Sequence, residues 1–77
     1  MRKLLKEYTY GEKIKIQIIG DIIQNDLTKT WVAFLIFSIK GNETIIAKGI
    51  PCENKEEAEG NLLIIFEEHE EFSFGEV

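Results

Sequence analysis

The sequence predicts an α+β fold, a three-stranded antiparallel β-meander followed by one C-terminal amphipathic helix packed on the sheet. Three observations lead there. Residues 13–19 alternate polar and apolar, residues 30–40 are apolar on both alternating faces, and residues 53–72 separate apolar from acidic side chains at about 3.6 residues per turn. The chain divides accordingly into an N-terminal segment (1–12), the meander (13–52), the helix (53–72) and a tail (73–77), all within a single domain.

In KIKIQII, Ile14, Ile16 and Ile18 share one face and Lys13, Lys15 and Gln17 the other, the pattern of a half-buried strand. A glycine inside a strand often marks a bulge, so Gly20 is expected to exchange the faces of the residues that follow, DIIQ. QNDLTK then reads as a turn. The second strand, TWVAFLIFSIK, places Trp31, Ala33, Leu35, Phe37 and Ile39 on one face and Val32, Phe34 and Ile36 on the other. A strand apolar on both sides belongs in the middle of its sheet, covered twice. KGNET is a hairpin signal leading to a third strand, Thr44 to Ile50, which Pro51 ends because proline cannot donate a ladder hydrogen bond.

Asn54 followed three residues later by Glu57 is a capping-box spacing, and Glu53, Glu56 and Glu57 favour the positive end of a helix dipole. Ala58, Leu62, Ile65, His69 and Phe72, with Phe66 at the margin, then form the buried side. Glu56, Glu59, Glu67, Glu70 and Glu71 group opposite. The competing reading takes Gly60-Asn61 as a turn and LLIIF as a buried strand; the cap and the acidic surround favour the helix, in which a glycine costs about 1 kcal/mol.

A chain of 77 residues buries only about 60–65% of its unfolded surface. Cys52 is the only cysteine, so an intrachain disulfide and a cysteine-rich zinc site are excluded. Oligomerisation is the remaining way to add stability. One helix covers one face of the sheet, so the other face predicts a homodimer unless Leu4, Leu5, Tyr8 and Tyr10 fold back over it. RKLLKEY has the composition of a short interfacial helix, too brief to hold a membrane by itself. It lacks the apolar core of an export signal, and the longest apolar run, Trp31 to Phe37, is too short to span a bilayer. A cytoplasmic location without membrane attachment is expected.

The net charge of −5 is unevenly spread: residues 1–52 sum to +3 and residues 53–77 to −8. Such a split predicts an acidic surface with a basic partner, another protein or the chain's own first half. Catalytic groups are sparse. His69 is the one histidine and falls on the apolar helix side, Cys52 reads as a small buried residue after a strand, and Ser38 and Ser73 lie outside any nucleophile-elbow sequence. The dispersed glycines form neither a P-loop nor a dinucleotide fingerprint. Catalytic residues, cofactor and metal are therefore expected to be absent.

Strands followed by a helix carrying NKEEAEGNLL are similar, in topology alone, to the opening half of the ribonuclease H-like fold. That resemblance implies a metal-binding role for Glu59 with Asp21 or Asp26 as its companion, but two-metal hydrolysis needs further carboxylates, and the activity is not expected. Lys13 and Lys15 with Tyr8 and Tyr10 offer a weak basic and aromatic patch for nucleic acid. A charged edge strand accounts for the same lysines.

The function expected is that of a small, acidic, non-enzymatic protein-binding module whose contact residues are Glu56, Glu59, Leu63, Glu67, Glu70 and Glu71. An inhibitor of a nucleic-acid-handling partner fits, since carboxylates along a helix are spaced somewhat like phosphates along a strand. In kind, the chain is similar to small acidic viral and mobile-element proteins that block defence nucleases. The alternatives are a nucleic-acid binder using the basic half and a dimeric structural or regulatory subunit.

Overall fold

The N-terminal segment, expected to lie outside the meander, supplies its first strand. The computed structural model describes the backbone of residues 1–11 and 13–73 and the side chains of residues 1–11 and 13–69. Its elements are β1 (Arg2–Tyr10), β2 (Ile14–Gln24), β3 (Trp31–Ile39), β4 (Asn42–Lys48) and α1 (Lys55–Ser73). The strands form one four-stranded antiparallel sheet in the order β1-β2-β3-β4. The fold is thus α+β with a C-terminal helix, and the expected three strands are corrected to four.

The correction has a local cause. Residues 2–10 show no clean alternation because β1 carries a bulge between Leu4 and Lys6, which puts Leu4 and Leu5 in sequence at a point where the pairing slips. RKLLKEY is strand, where the sequence suggested an interfacial helix. Backbone pairing with β2 from Arg2↔Asp21 to Tyr10↔Ile14 satisfies groups that would otherwise stand unpaired along an edge. Lys13 and Lys15 therefore flank or occupy an inner strand, and the charged-edge explanation for them does not hold.

Gly20 does not exchange the faces of β2. Pairing with β3 runs without a shift from Ile16↔Ile39 to Gln24↔Trp31, so Ile18, Gly20 and Ile22 stay on one side. The glycine serves the helix: a Cβ there would lie 2.5 Å from Leu62 Cδ2 and 3.1 Å from Leu5 Cδ1. Its missing side chain lets α1 settle on the sheet. The sheet's second bulge, between Leu35 and Ile36 on the β3–β4 pairing, lets Ile46 and Ala47 both pack beside the core. The β3–β4 hairpin turns through Lys40 and Gly41, both at positive φ, 52° and 82°, as a two-residue primed turn requires. This strand starts at Asn42 rather than Thr44 and ends at Lys48.

The core lies between the sheet and α1. Ile18, Ala33 and Leu35 from the strands and Ala58 from the helix are fully buried, with Ile22, Cys52 and Leu62 close behind. Burying Ile18 and Leu35 contributes roughly 1.5–3 kcal/mol each. Trp31, Phe37, Ile65 and Phe66 pack around them, so the alternation read in β3 and the apolar side read in α1 both hold, with Phe72 outside the described side chains. LLIIF is helical, which removes the strand alternative.

Asn54 caps α1: its Oδ1 accepts from Glu57 N–H at 2.9 Å. The return bond is from the Asn54 side-chain amide to Glu57 Oε1 at 3.2 Å, a variant of the capping box in which both side chains meet. Midway along, Asn61 Oδ1 accepts the Ile50 N–H at 3.1 Å and fills the space a Cβ at Gly49 would need. The helix is therefore pinned both by apolar contact and by a polar bond to the chain leaving β4. Of the expected tail, residues 74–77 lie outside the description.

Candidate partner-binding surfaces

Two exposed surfaces carry apolar side chains among charges. The first is the outer side of α1. Leu63 and Ile64 are each about half exposed, 51% and 53%, because the run LLIIF is longer than the stripe the sheet can cover. Glu59 and Glu67 stand four residues either side of Leu63, and Gly60 and Glu68 hold the same positions about Ile64. Glu56 and Glu57 lie one turn further on. All of these are exposed.

The expected contact residues Glu56, Glu59, Leu63 and Glu67 are thus brought together on one helix side. Glu70 and Glu71 belong to the last helical turns, and their side chains lie outside the description. Ile64, Glu57 and Glu68 were missed. A fixed angle of about 100° per residue, centred on the glutamates, puts Ile64 at the margin, and only the docked orientation of α1 shows it clear of the sheet.

The second surface is the sheet face opposite the helix. Strand register arranges its side chains in rows across the strands. Leu4, Ile19, Ile36 and Ile45 form a central apolar row. On one side of it lies the row Arg2, Asp21, Phe34 and Lys48, and beyond that Ile23 and Val32. On the other side lies Glu7, Gln17, Ser38 and Glu43. Leu4, Ile23 and Ile45 are exposed. A groove of about 300 Å³ is lined by Ile23, Phe34, Ile36 and Ile45 with Arg2, Asp21 and Glu43.

Arg2 reaches diagonally over this face. Its Nη1 and Nη2 donate to Glu43 Oε2 and Oε1 at 2.9 and 2.7 Å, a bidentate pair joining the two edge strands above Ile36. The hydrogen bond from Arg2 holds the Glu43 carboxyl below the ordinary glutamate value, and the same bond raises the guanidinium pKa. Asp21 is held by the N-terminal ammonium at 3.1 Å and approached by Arg2 Nε at 3.6 Å.

Lys13, Lys15 and Lys40 gather at the hairpin end of this face, around Gln17 and Ser38 in a hollow of about 240 Å³. Tyr8, paired with Ile16, belongs to the helix side and packs on the core; register places Tyr10 on the same side, where it is exposed. The lysines and tyrosines read together from the sequence are therefore parted by the sheet, and Phe34 is the only aromatic on the open face among the described residues.

The groups with chemical potential do not converge. Cys52 is buried, bridged through its backbone to Trp31, with its thiol directed to Ile50 O at 3.4 Å. His69 lies near the other end of the helix, about 20 Å along its axis, in a hollow shared with Ala47, Lys48, Ile65 and Glu68. Glu59 rises from the helix on one side of the sheet while Asp21 sits on the other, and Asp26 is exposed in the β2–β3 turn, so the ribonuclease H-like pair is not assembled. Among the described residues no three histidine, cysteine or acidic side chains are placed to hold a metal ion. No helix among them is long and apolar enough to cross a membrane.

No protein family matches the chain, and neither a curated protein nor a solved structure is similar enough to count as a match.

Proposed function

We propose that the protein is a non-enzymatic binding module that docks the outer side of α1 onto a basic, apolar-floored surface of another protein. The observation that carries this reading is the exposed pair Leu63 and Ile64 within a ring of glutamates. An apolar centre inside a charged rim is how interface anchors are arranged. The acids near the C-terminal end support it independently. Glu70 and Glu71 lie in the last turn of the helix, where the dipole disfavours anions, and that turn has no basic residue. Each such charge costs a helix about 0.3–1 kcal/mol. A cationic partner offsets that cost, whereas folding alone does not.

The partner of best fit is a nucleic-acid-handling protein, whose basic channel the line of carboxylates would occupy, making the module an inhibitor of mobile-element or viral kind acting in the cytoplasm. The competing reading, direct nucleic-acid binding through Lys13, Lys15 and Lys40, has the cluster of charge but only Phe34 for base stacking.

Affinity capture at low and moderate salt tests the proposal, using native protein, the Leu63→Ala/Ile64→Ala pair, and the Glu67→Lys/Glu70→Lys/Glu71→Lys triple variant. Both variants are expected to fold, by circular dichroism, and to lose the partner that native protein retains. A folded triple variant that retrieves the same partner shows that the acidic side of α1 is not the binding surface.

A further inference from the structure

We infer that the open sheet face is a self-complementary interface that joins two copies of this chain about one particular two-fold axis. The occupant is set by the charge pattern. The central row Leu4, Ile19, Ile36 and Ile45 carries no charge. The row on one side ends in cations at both sheet edges, Arg2 on β1 and Lys48 on β4. The row on the other side ends in anions at the same edges, Glu7 on β1 and Glu43 on β4.

A two-fold axis along the apolar row, perpendicular to the strands, lays β1 on the partner's β1 and reverses strand direction. The row of each copy that ends in Arg2 and Lys48 then faces the row of the other that ends in Glu7 and Glu43, with Asp21 opposite the uncharged Gln17. Arg2 meets the partner's Glu7, Lys48 meets the partner's Glu43, and each contact occurs twice, as an isologous interface demands. An axis parallel to the strands would instead set Arg2 against Lys48 and Glu7 against Glu43. Like charges so placed are strongly unfavourable. The face thus admits one symmetric pairing and rejects the other. The aligned packing of two such sheets, crossed by about 30°, leaves these long side chains within reach of their partners.

The bidentate Arg2–Glu43 pair fits the same scheme. It joins Arg2 of one row to Glu43 of the other within one copy, over the apolar row, and leaves Ile36 only 5% exposed although no element among the described residues covers that face. In the dimer Arg2 passes to the partner's Glu7, so the exchange trades an exposed pair, worth little by itself, for burial of the isoleucines.

The outer side of α1 cannot serve in its place. Mating it with itself would bring Glu56, Glu59, Glu67 and Glu68 of both copies together. Size sets the strength: four strands about 4.8 Å apart and four rows about 6.8 Å apart cover on the order of 500 Å². Two such faces bury about 1,000 Å², the lower limit for a specific interface, so dissociation in the micromolar range is expected.

Sedimentation equilibrium of the full chain tests the inference, with charge variants that report on the axis. Native protein should move between 8.9 kDa and twice that mass as concentration rises. Lys48→Glu and Glu43→Lys should each weaken dimerisation about tenfold or more, since each puts like charges at both symmetric contacts. An equimolar mixture of the two should recover native affinity, because every contact in the mixed dimer again pairs opposite signs. Ile45→Arg, at a site 61% exposed in the monomer, should abolish the dimer with the circular dichroism spectrum unchanged. The inference is overturned by a native chain that is monomeric at every concentration, by a dimer that survives Ile45→Arg, or by a mixture that associates no better than its components. Glu43 and Ile45 line the open-face groove away from α1, so Glu43→Lys and Ile45→Arg separate this outcome from that of the helix-docking test.

Discussion

The two faces of the sheet are made of the same strands and nearly the same residue types, yet only one is a core. Leu35 and Ile36 are neighbours in β3; Leu35 points to α1 and is fully buried, whereas Ile36 points away and is shielded by the reach of Arg2 and by the strands beside it. On the helix side the charged residues are confined to the margins. On the open side they flank the central apolar row on both sides. The difference shows that burial alone does not make a core: the covered side excludes charge and is closed by packing, while the open side keeps an ordered charge pattern suited to a surface that opens and closes.

The largest expected effect separates those neighbours. Leu35→Ala should cost about 3–5 kcal/mol, measured by urea denaturation, because it leaves a cavity under α1. Ile36→Ala, measured at concentrations that keep the chain monomeric, should cost appreciably less. Equal losses would make the two faces equivalent and break the comparison.

Gly20→Val is the next test of the helix side. The added side chain meets Leu62 and Leu5 and must push α1 off the sheet, with an expected loss of about 1–3 kcal/mol. Tolerance of valine there would mean that the helix is held mainly by its ends. Asn54→Ala should cost about 1 kcal/mol through loss of the cap on Glu57 N–H.

Smaller effects sharpen the reading of the exposed surfaces. Glu71→Lys should raise stability by a few tenths of a kcal/mol, because it replaces an anion in the last turn of α1, while weakening partner capture. A substitution that improves the fold and damages binding is the signature expected of a residue kept for its partner.

The smallest effect is the pH dependence of the Arg2–Glu43 pair. Glu43 has its folded pKa lowered, chiefly by the hydrogen bond from Arg2. Its contribution is therefore complete above the ordinary glutamate value and is lost as pH falls through the lower, folded one. Arg2, its own pKa raised, stays charged throughout. A carboxyl NMR titration should find Glu43 below its ordinary value in native protein and restored to it in Arg2→Ala.

What was legible in the sequence follows from these same forces. β3 was readable because an inner strand is apolar on both faces, although α1 covers only one of them rather than the two expected, and α1 was readable because Asn54 and Glu57 mark its start. β1 was hidden by its bulge: Leu4 and Leu5 stand together, and the alternation that signals a strand is broken where the pairing slips. Gly20 was recognisable as special, but its reason was tertiary, the approach of Leu62, which no window of sequence contains. Ile64 and the rows of the open face were out of reach for the same cause. Arg2, Glu7, Glu43 and Lys48 become a pattern only through strand register, and the helix turns Leu63 and Ile64 outward only once its docking is fixed.

Methyl NMR of the isoleucines, recorded as the native chain is concentrated, tests most directly the claim that the two faces have different roles. Ile19, Ile23, Ile36 and Ile45 should shift together with concentration, while Ile18 and Ile22 beneath the helix and Ile64 on its outer side stay fixed. Spectra that do not change on concentration, or shifts that centre on Ile64, would contradict it.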